Sequence, residues 1–144
     1  MARAASSVKA DTGSVTQSEK EDFALLFVIR TIFIGFIQKR KWIGNDEEFL
    51  ENFINEYKHS GKKEELYKKW ISPLFFKALN SPPGRKVSYG DNDFSTETEA
   101  KLQMAPYLNG GLFSEDKEID RKGYYIPDAQ IKAFFEFLFQ YNFT

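Results

Sequence analysis

Cysteine is absent from the 144 residues, so neither a disulfide framework nor a thiolate metal site can be built, and the redox compartment is left open. A single histidine, His59, excludes most imidazole chemistry, and its neighbours Lys58 and Ser60 mark it as a solvated residue. No Ser-His-Asp arrangement can be assembled without assigning that one ring arbitrarily. Neither sign of charge is in excess. Twenty basic residues against 21 acidic ones leave a formal net of −1, which removes a global electrostatic case for nucleic acid and leaves only local patches to argue from. No apolar run reaches the roughly 20 residues of a membrane span. The longest, Phe23 to Ile37, carries Arg30 near its middle, so a membrane is not expected as a partner and a cytoplasmic location is.

What the chain has in quantity is aromatic surface. Aromatics make up 17% of the sequence, with 15 Phe, more than a solvated domain of this size needs. Side chains of that bulk imply a thick core, a partner interface, or both. The length is one domain's worth, enough to bury roughly two thirds of the unfolded surface in a single core. Residues 1–17 are small, polar and aperiodic, without the apolar stretch of a targeting peptide, and read as a disordered leader ahead of a domain over 18–144.

Ser18-Glu19-Lys20-Glu21 has the S-x-x-E form in which hydroxyl and carboxylate satisfy each other's orphan amides, so a helix is expected to begin there and run to Lys41. Acids at its start and Lys39-Arg40-Lys41 at its end suit the helix dipole. Apolar on nearly every side, it is expected at the centre of a bundle. Phe49, Leu50, Phe53, Ile54 and Tyr57 share one helical face behind Asn45 or Asp46 as cap, and His59-Ser60-Gly61 ends that helix. Lys62 to Ile71 reads as a third helix burying Leu66, Tyr67, Trp70 and Ile71. Ser72-Pro73 then reads as a fresh N-cap and first helical position for a short helix over Leu74 to Leu79. Arg85 to Leu102 is polar and turn-rich, with a weak helical turn over Ser95 to Met104. Ser114 to Gly123 reads as a charged surface loop, and Tyr124 to Ile126 as a very short strand pairing near Leu112. Asp128 is expected to cap a last helix with Ile131, Phe134, Phe135, Leu138 and Tyr141 on one face. The fold class is therefore mostly α, a single-domain helical bundle round a central apolar helix, with a long loop and at most a very short β pairing.

The most informative stretch is Pro106-Tyr107-Leu108-Asn109-Gly110-Gly111-Leu112-Phe113. Asn109, Gly110 and Gly111 tolerate positive φ, so the chain can reverse there between apolar pairs that a core would hold, and Tyr107, Asn109, Gly110, Gly111 and Phe113 are read as a structural turn. A phosphate cradle would need a strand before it, a helix after it and a Lys or Ser/Thr in place. None of these is spelled here.

That turn, with Ser72-Pro73-Leu74-Phe75-Phe76-Lys77-Ala78-Leu79-Asn80 and the terminal Tyr141-Asn142-Phe143-Thr144, resembles a segment of large bacterial and archaeal restriction-modification proteins. In those proteins, the single-chain Type IIG restriction enzymes and related adenine-specific DNA methyltransferases, such a segment lies just ahead of the methyltransferase domain. The resemblance runs from about Phe23 to the end. It implies a helical connector whose partner is the methyltransferase domain of a parent protein, with DNA as a further candidate partner. S-adenosylmethionine and Mg²⁺ are then expected only in the rest of that parent, and no cofactor in this chain.

No catalytic residue of the family carries over. Amino-methyltransferases present an Asn-Pro-Pro-aromatic motif that holds the flipped base. The nearest spelling here, Asn80-Ser81-Pro82-Pro83-Gly84, has an intervening Ser and no aromatic, and reads as a helix stop. A metal nuclease needs an acid followed by acid-x-Lys on a neighbouring strand. Asp93 with Glu115-Asp116-Lys117 fits that spelling but lies in glycine-flanked charged loops. Lys39, Arg40, Lys41, Arg85 and Lys86 are the candidate contacts to a DNA backbone, weighed against a solvated rim. Lys58, Lys62, Lys63, Lys68 and Lys69 form a further basic group interleaved with Glu56, Glu64 and Glu65, which favours the rim. Phe137, Phe139, Tyr141 and Phe143 are the candidate domain interface. The expectation is a non-catalytic connector; the alternative is a free-standing helical module that binds a protein partner.

Overall fold

Thr16, not Ser18, opens the longest helix, α1 (Gln17–Lys39). Its hydroxyl accepts from the Glu19 amide at 3.2 Å, and the Glu19 carboxylate accepts from the Thr16 amide at 3.3 Å. Both Thr16-x-x-Glu19 and Ser18-x-x-Glu21 spell a capping box. The earlier one also leaves Glu19 placed to receive the Tyr124 hydroxyl, which ties the helix start to the far end of the chain. The computed structural model describes residues 8–10, 16–82, 89, 94–108, 110–116, 119–120 and 123–140.

α1 buries Phe23, Phe27, Arg30, Ile34 and Ile37 along one side, and α2 (Phe49–Ser60) packs against it with the expected face of Phe49, Leu50, Phe53, Ile54 and Tyr57. Gln38, buried near the end of α1, accepts from the Leu50 amide at 2.9 Å and so caps α2 from the preceding helix. Gly61 closes α2 in the left-handed conformation (φ 77°).

The next segment departs from the expected break at Ser72-Pro73. α3 (Leu66–Ile71) and α4 (Leu74–Ala78) have wide π-type turns, and Ser72 (φ −58°, ψ −47°) and Pro73 (φ −62°, ψ −35°) stay helical between them. The reason lies in the spacing. Leu66/Tyr67, Trp70/Ile71, Leu74/Phe75 and Ala78/Leu79 are all buried pairs, recurring every four residues. At about 100° per residue an α-helix would swing such a row by about 40° per repeat and carry it off the core within three repeats. Bonds from the Ser72 amide to the Tyr67 carbonyl, and from Leu79 to Leu74 at 3.2 Å, widen the turn and hold the row straight.

α5 (Thr96–Gln103) begins at Ser95, whose hydroxyl accepts from the Thr98 amide. Glu56 of α2 in turn accepts from the Ser95 amide (3.1 Å) and hydroxyl (2.5 Å) and from the Thr98 hydroxyl (2.8 Å). α6 (Asp128–Leu138) packs against α3. Asp128 does not cap its own helix, where Pro127 holds that position. Its buried carboxylate accepts from the Tyr57 hydroxyl and from the amides of Glu64 (2.8 Å) and Leu66 (3.3 Å), so it caps the start of α3 instead.

The strand at Tyr124–Tyr125, β2, pairs not near Leu112 but antiparallel with β1 (Lys9–Ala10), Lys9 opposite Tyr125 and Ala10 opposite Tyr124. Val8, placed by sequence in the leader, is buried with the core. The architecture is otherwise the mostly α bundle expected, with this one two-stranded pairing among the described residues. Its centre is aromatic: Phe27 meets Tyr67, Phe75, Phe134 and Phe135, and Trp70 meets Phe53, Tyr57 and Phe94, with ring centroids 4.9 to 6.4 Å apart. No helix among the described residues is long and apolar enough to cross a membrane.

Candidate functional site

Arg30 sits in the middle of α1 and is 2% exposed. A buried guanidinium is tolerated only when its donors are taken up. Here Nε donates to the Leu112 carbonyl (2.7 Å), Nη2 to the Ser114 carbonyl (3.1 Å), and Nη1 and Nη2 to the two oxygens of Asp120 (3.1 and 3.0 Å). The centre of the guanidinium lies 4.8 Å from the Phe76 ring centre and 5.6 Å from that of Phe75. The charged loop over Ser114 to Gly123 is therefore not wholly a surface feature, because the Asp120 side chain is 1% exposed.

These bonds anchor the chain just after the glycine turn. Phe113 is fully buried against Phe33 and Phe75. The Leu108 amide donates to the Leu79 carbonyl at 3.1 Å, and Gly111 takes φ 84° while Gly110 does not take a positive φ. Tyr107 is half-buried, and Asn109 lies outside the described residues.

Three of the candidate DNA contacts lie among the described residues, at the end of α1. Lys39 is half-buried, Arg40 lays its guanidinium 5.7 Å from the centre of the Trp42 ring, and Lys41 is exposed with φ 62°. Arg85 and Lys86 lie outside the described residues, as do Tyr141 and Phe143. Of the candidate interface, Phe137 is 56% exposed and Phe139 is half-buried, stacked on Phe135. Of the nuclease spelling, Asp93 and Lys117 lie outside the described residues and Glu115 is exposed. The described residues contain no cluster of three or more potential metal ligands from His, Asp and Glu. His59 is exposed, with Nδ1 2.8 Å from the Asn55 carbonyl oxygen.

Two surfaces were not legible in the pattern. α1 is not covered all round: Leu25, Ile29, Phe33 and Phe36, at intervals of four, four and three, form one row between 43% and 51% exposed. The second surface is concave. A cleft of about 350 Å³ opens between α3, α4 and Glu115, with the Phe76 ring in its wall.

Over 132 residues the chain is 30% identical to a protein of Methanocaldococcus jannaschii provisionally named a type II restriction enzyme and methyltransferase. The chain is related to restriction-modification enzymes. The match takes in 91% of this chain and 10% of the relative, so the chain spans about a tenth of that protein's length. No protein-family model matches the chain, and no solved structure matches it significantly.

Proposed function

We propose that this chain is the helical connector of a restriction-modification DNA methyltransferase of the single-chain Type IIG kind, a part that positions catalytic domains and itself makes or breaks no bond. The exposed apolar row on α1 carries the reading. A helix buried along one side by its own domain and apolar along the other has a second side to fill. A segment matching a tenth of a larger relative has the rest of such a polypeptide to fill it. In this reading the occupant is the methyltransferase domain, with Phe137 and Phe139 on α6 as a second area of contact. S-adenosylmethionine and Mg²⁺ would be held by the parent's other domains.

The test compares the 144-residue chain with the same chain joined to a methyltransferase portion. Adenine methylation of plasmid DNA is expected from the longer protein and not from the chain alone. Leu25→Glu should weaken methylation by the longer protein while changing the free energy of unfolding of the chain itself by no more than about 0.5 kcal/mol. Methyl transfer or DNA cleavage by the isolated chain would end this reading.

A further inference from the structure

The exposed row on α1 has ends of opposite charge. Ahead of Leu25, Ile29, Phe33 and Phe36 the chain exposes Glu21 and Asp22, and behind them it exposes Arg40 and Lys41. Glu21 also accepts from the Gln17 side chain at 3.3 Å, and Arg40 lies over the Trp42 ring, which is itself 50% exposed. Phe33 packs its ring against Phe113 and remains 43% exposed. At about 100° per residue, the steps of four, four, three and four from Leu25 to Arg40 stay within a sector of about 80°. The row therefore runs along the helix axis and suits a nearly aligned neighbouring helix, not a steeply crossed one.

Read backwards, the row matches itself. Against a second α1 running the other way, with the two-fold axis at the level of Thr31, Ile29 comes level with the partner's Phe33. Leu25 then falls within one residue of the partner's Phe36. Asp22 comes level with the partner's Arg40, and Glu21 with the partner's Lys41. A two-fold axis repeats each of these contacts, so one patch serves both copies. A parallel arrangement would set acid against acid and base against base.

We propose that the row is a self-association surface, on which a second copy of this chain lays its own α1 antiparallel. The inference goes beyond the connector reading and uses the same face: a methyltransferase domain joined to the chain and a second copy exclude each other there. The apolar side chains supply the affinity by leaving water. The end charges form rim pairs, each worth little, and set the direction. Four half-exposed apolar side chains per copy make a small interface, of the class below about 1,200 Å², with a Kd of about 10 to 300 µM.

Sedimentation equilibrium of the 144-residue chain over about 5 µM to 1 mM tests it, and a monomer-dimer equilibrium is expected. Leu25→Glu sets a carboxylate beside the partner's Phe36 twice and should abolish pairing. Asp22→Arg or Arg40→Asp alone should raise Kd about 5- to 10-fold, through two lost pairs and two repulsions. The two together should return it to within about 3-fold of wild type. All three positions are exposed, so each variant should keep the wild-type helical dichroism. A chain that stays monomeric throughout, a Leu25→Glu chain that still pairs, or a double reversal no tighter than the single ones overturns the inference. Oligomers that keep growing with concentration also overturn it, since a two-fold contact closes. Failure of the pairing leaves the connector reading standing. The chain joined to its methyltransferase portion should be monomeric by the same measurement. If that longer protein instead pairs with the same charge dependence, the row is open in the parent, and the docking part of the connector reading falls while the pairing stands.

Discussion

The Arg30 guanidinium holds the Asp120 carboxylate by two bonds, 3.0 and 3.1 Å, across 90 residues of sequence, with both side chains almost wholly withdrawn from solvent. Two planar groups meeting fork to fork strengthen each other where water is excluded. Two further donors of the guanidinium take the carbonyls of Leu112 and Ser114 that follow the glycine turn. One side chain thus joins the longest helix, the turn and the loop behind it.

Arg30→Met should lower the free energy of unfolding by about 3 to 5 kcal/mol, because it strands a buried carboxylate and two carbonyls. Against the usual total of roughly 5 to 15 kcal/mol, that is enough to leave a large unfolded fraction. Asp120→Asn should cost less, since the amide oxygen still accepts one bond. Urea unfolding followed by circular dichroism measures both; a Met variant as stable as wild type would show that the clasp is dispensable.

The two glycines of the turn should differ. Gly111 has φ 84° with no atom within 4 Å of where a methyl group would sit, so Gly111→Ala costs backbone strain alone, about 1 kcal/mol. Gly110 has neither a positive φ nor a neighbour in the way, and Gly110→Ala should be neutral or slightly stabilising. Equal costs at both positions would contradict the backbone described.

Among Gly44, Gly61 and Gly111, all with φ above zero, Gly44→Ala should be the most costly substitution. A Cβ there would lie 2.2 Å from Lys101 Cγ and 2.9 Å from its Cα, at φ 63°. Relief requires moving the Lys101 stem, which breaks its 2.8 Å bond to Asp46. Burial alone pushes the Asp46 carboxyl up, but bonds from Lys101, Asn52 and the Glu48 amide outweigh it and hold the group below its usual range. The stability this contributes is present above the unfolded carboxyl value, near pH 3.9, and is lost as pH falls through the lowered one. Lys101→Met should therefore shrink the difference in stability between neutral and acid pH, by up to about 1 kcal/mol for a pair that is still partly wetted. Acid unfolding of Lys101→Met that superimposes on wild type would refute the linkage.

At the alkaline end the tyrosines take over. Burial above all pushes the Tyr57 and Tyr67 hydroxyls well above the usual phenol range, helped by the Asp128 bond and the Asp120 charge respectively, and pushes Tyr89 up to about 12. Folded values above the unfolded one mean stability that is complete below about pH 10 and lost as pH rises through the raised values. Part of the tyrosinate absorbance should thus appear only together with the loss of helical dichroism. Titration of all seven tyrosines near pH 10 with the helices intact would exclude it.

How much of this was legible in the sequence depended on distance along the chain. The α2 face, the left-handed stop at Gly61 and the buried set Leu66, Tyr67, Trp70 and Ile71 are local patterns, and each stands where the periodicity put it. The capping box was recognisable as a type but ambiguous by two residues, since Thr16 and Ser18 both lead to a Glu three residues on; Tyr124, over 100 residues away, favours the first. Arg30 in the sequence argued only against a bilayer. Its role depends on partners 82 to 90 residues distant, which no local window contains. The cleft was hidden by a different cause: Lys68, Lys69 and Lys77 look like scattered charges when read at 3.6 residues per turn, and fall into one row only when the interval is read as four.

The borrowed cap at the head of α3 has a consequence for synthesis. Glu64 and Leu66 present their amides to a carboxylate that belongs to residue 128, so a nascent chain shorter than that holds the start of this helix with two donors open to water. The start of α3 is completed from α6: Asp128 must be in place before the amides of Glu64 and Leu66 are both paired.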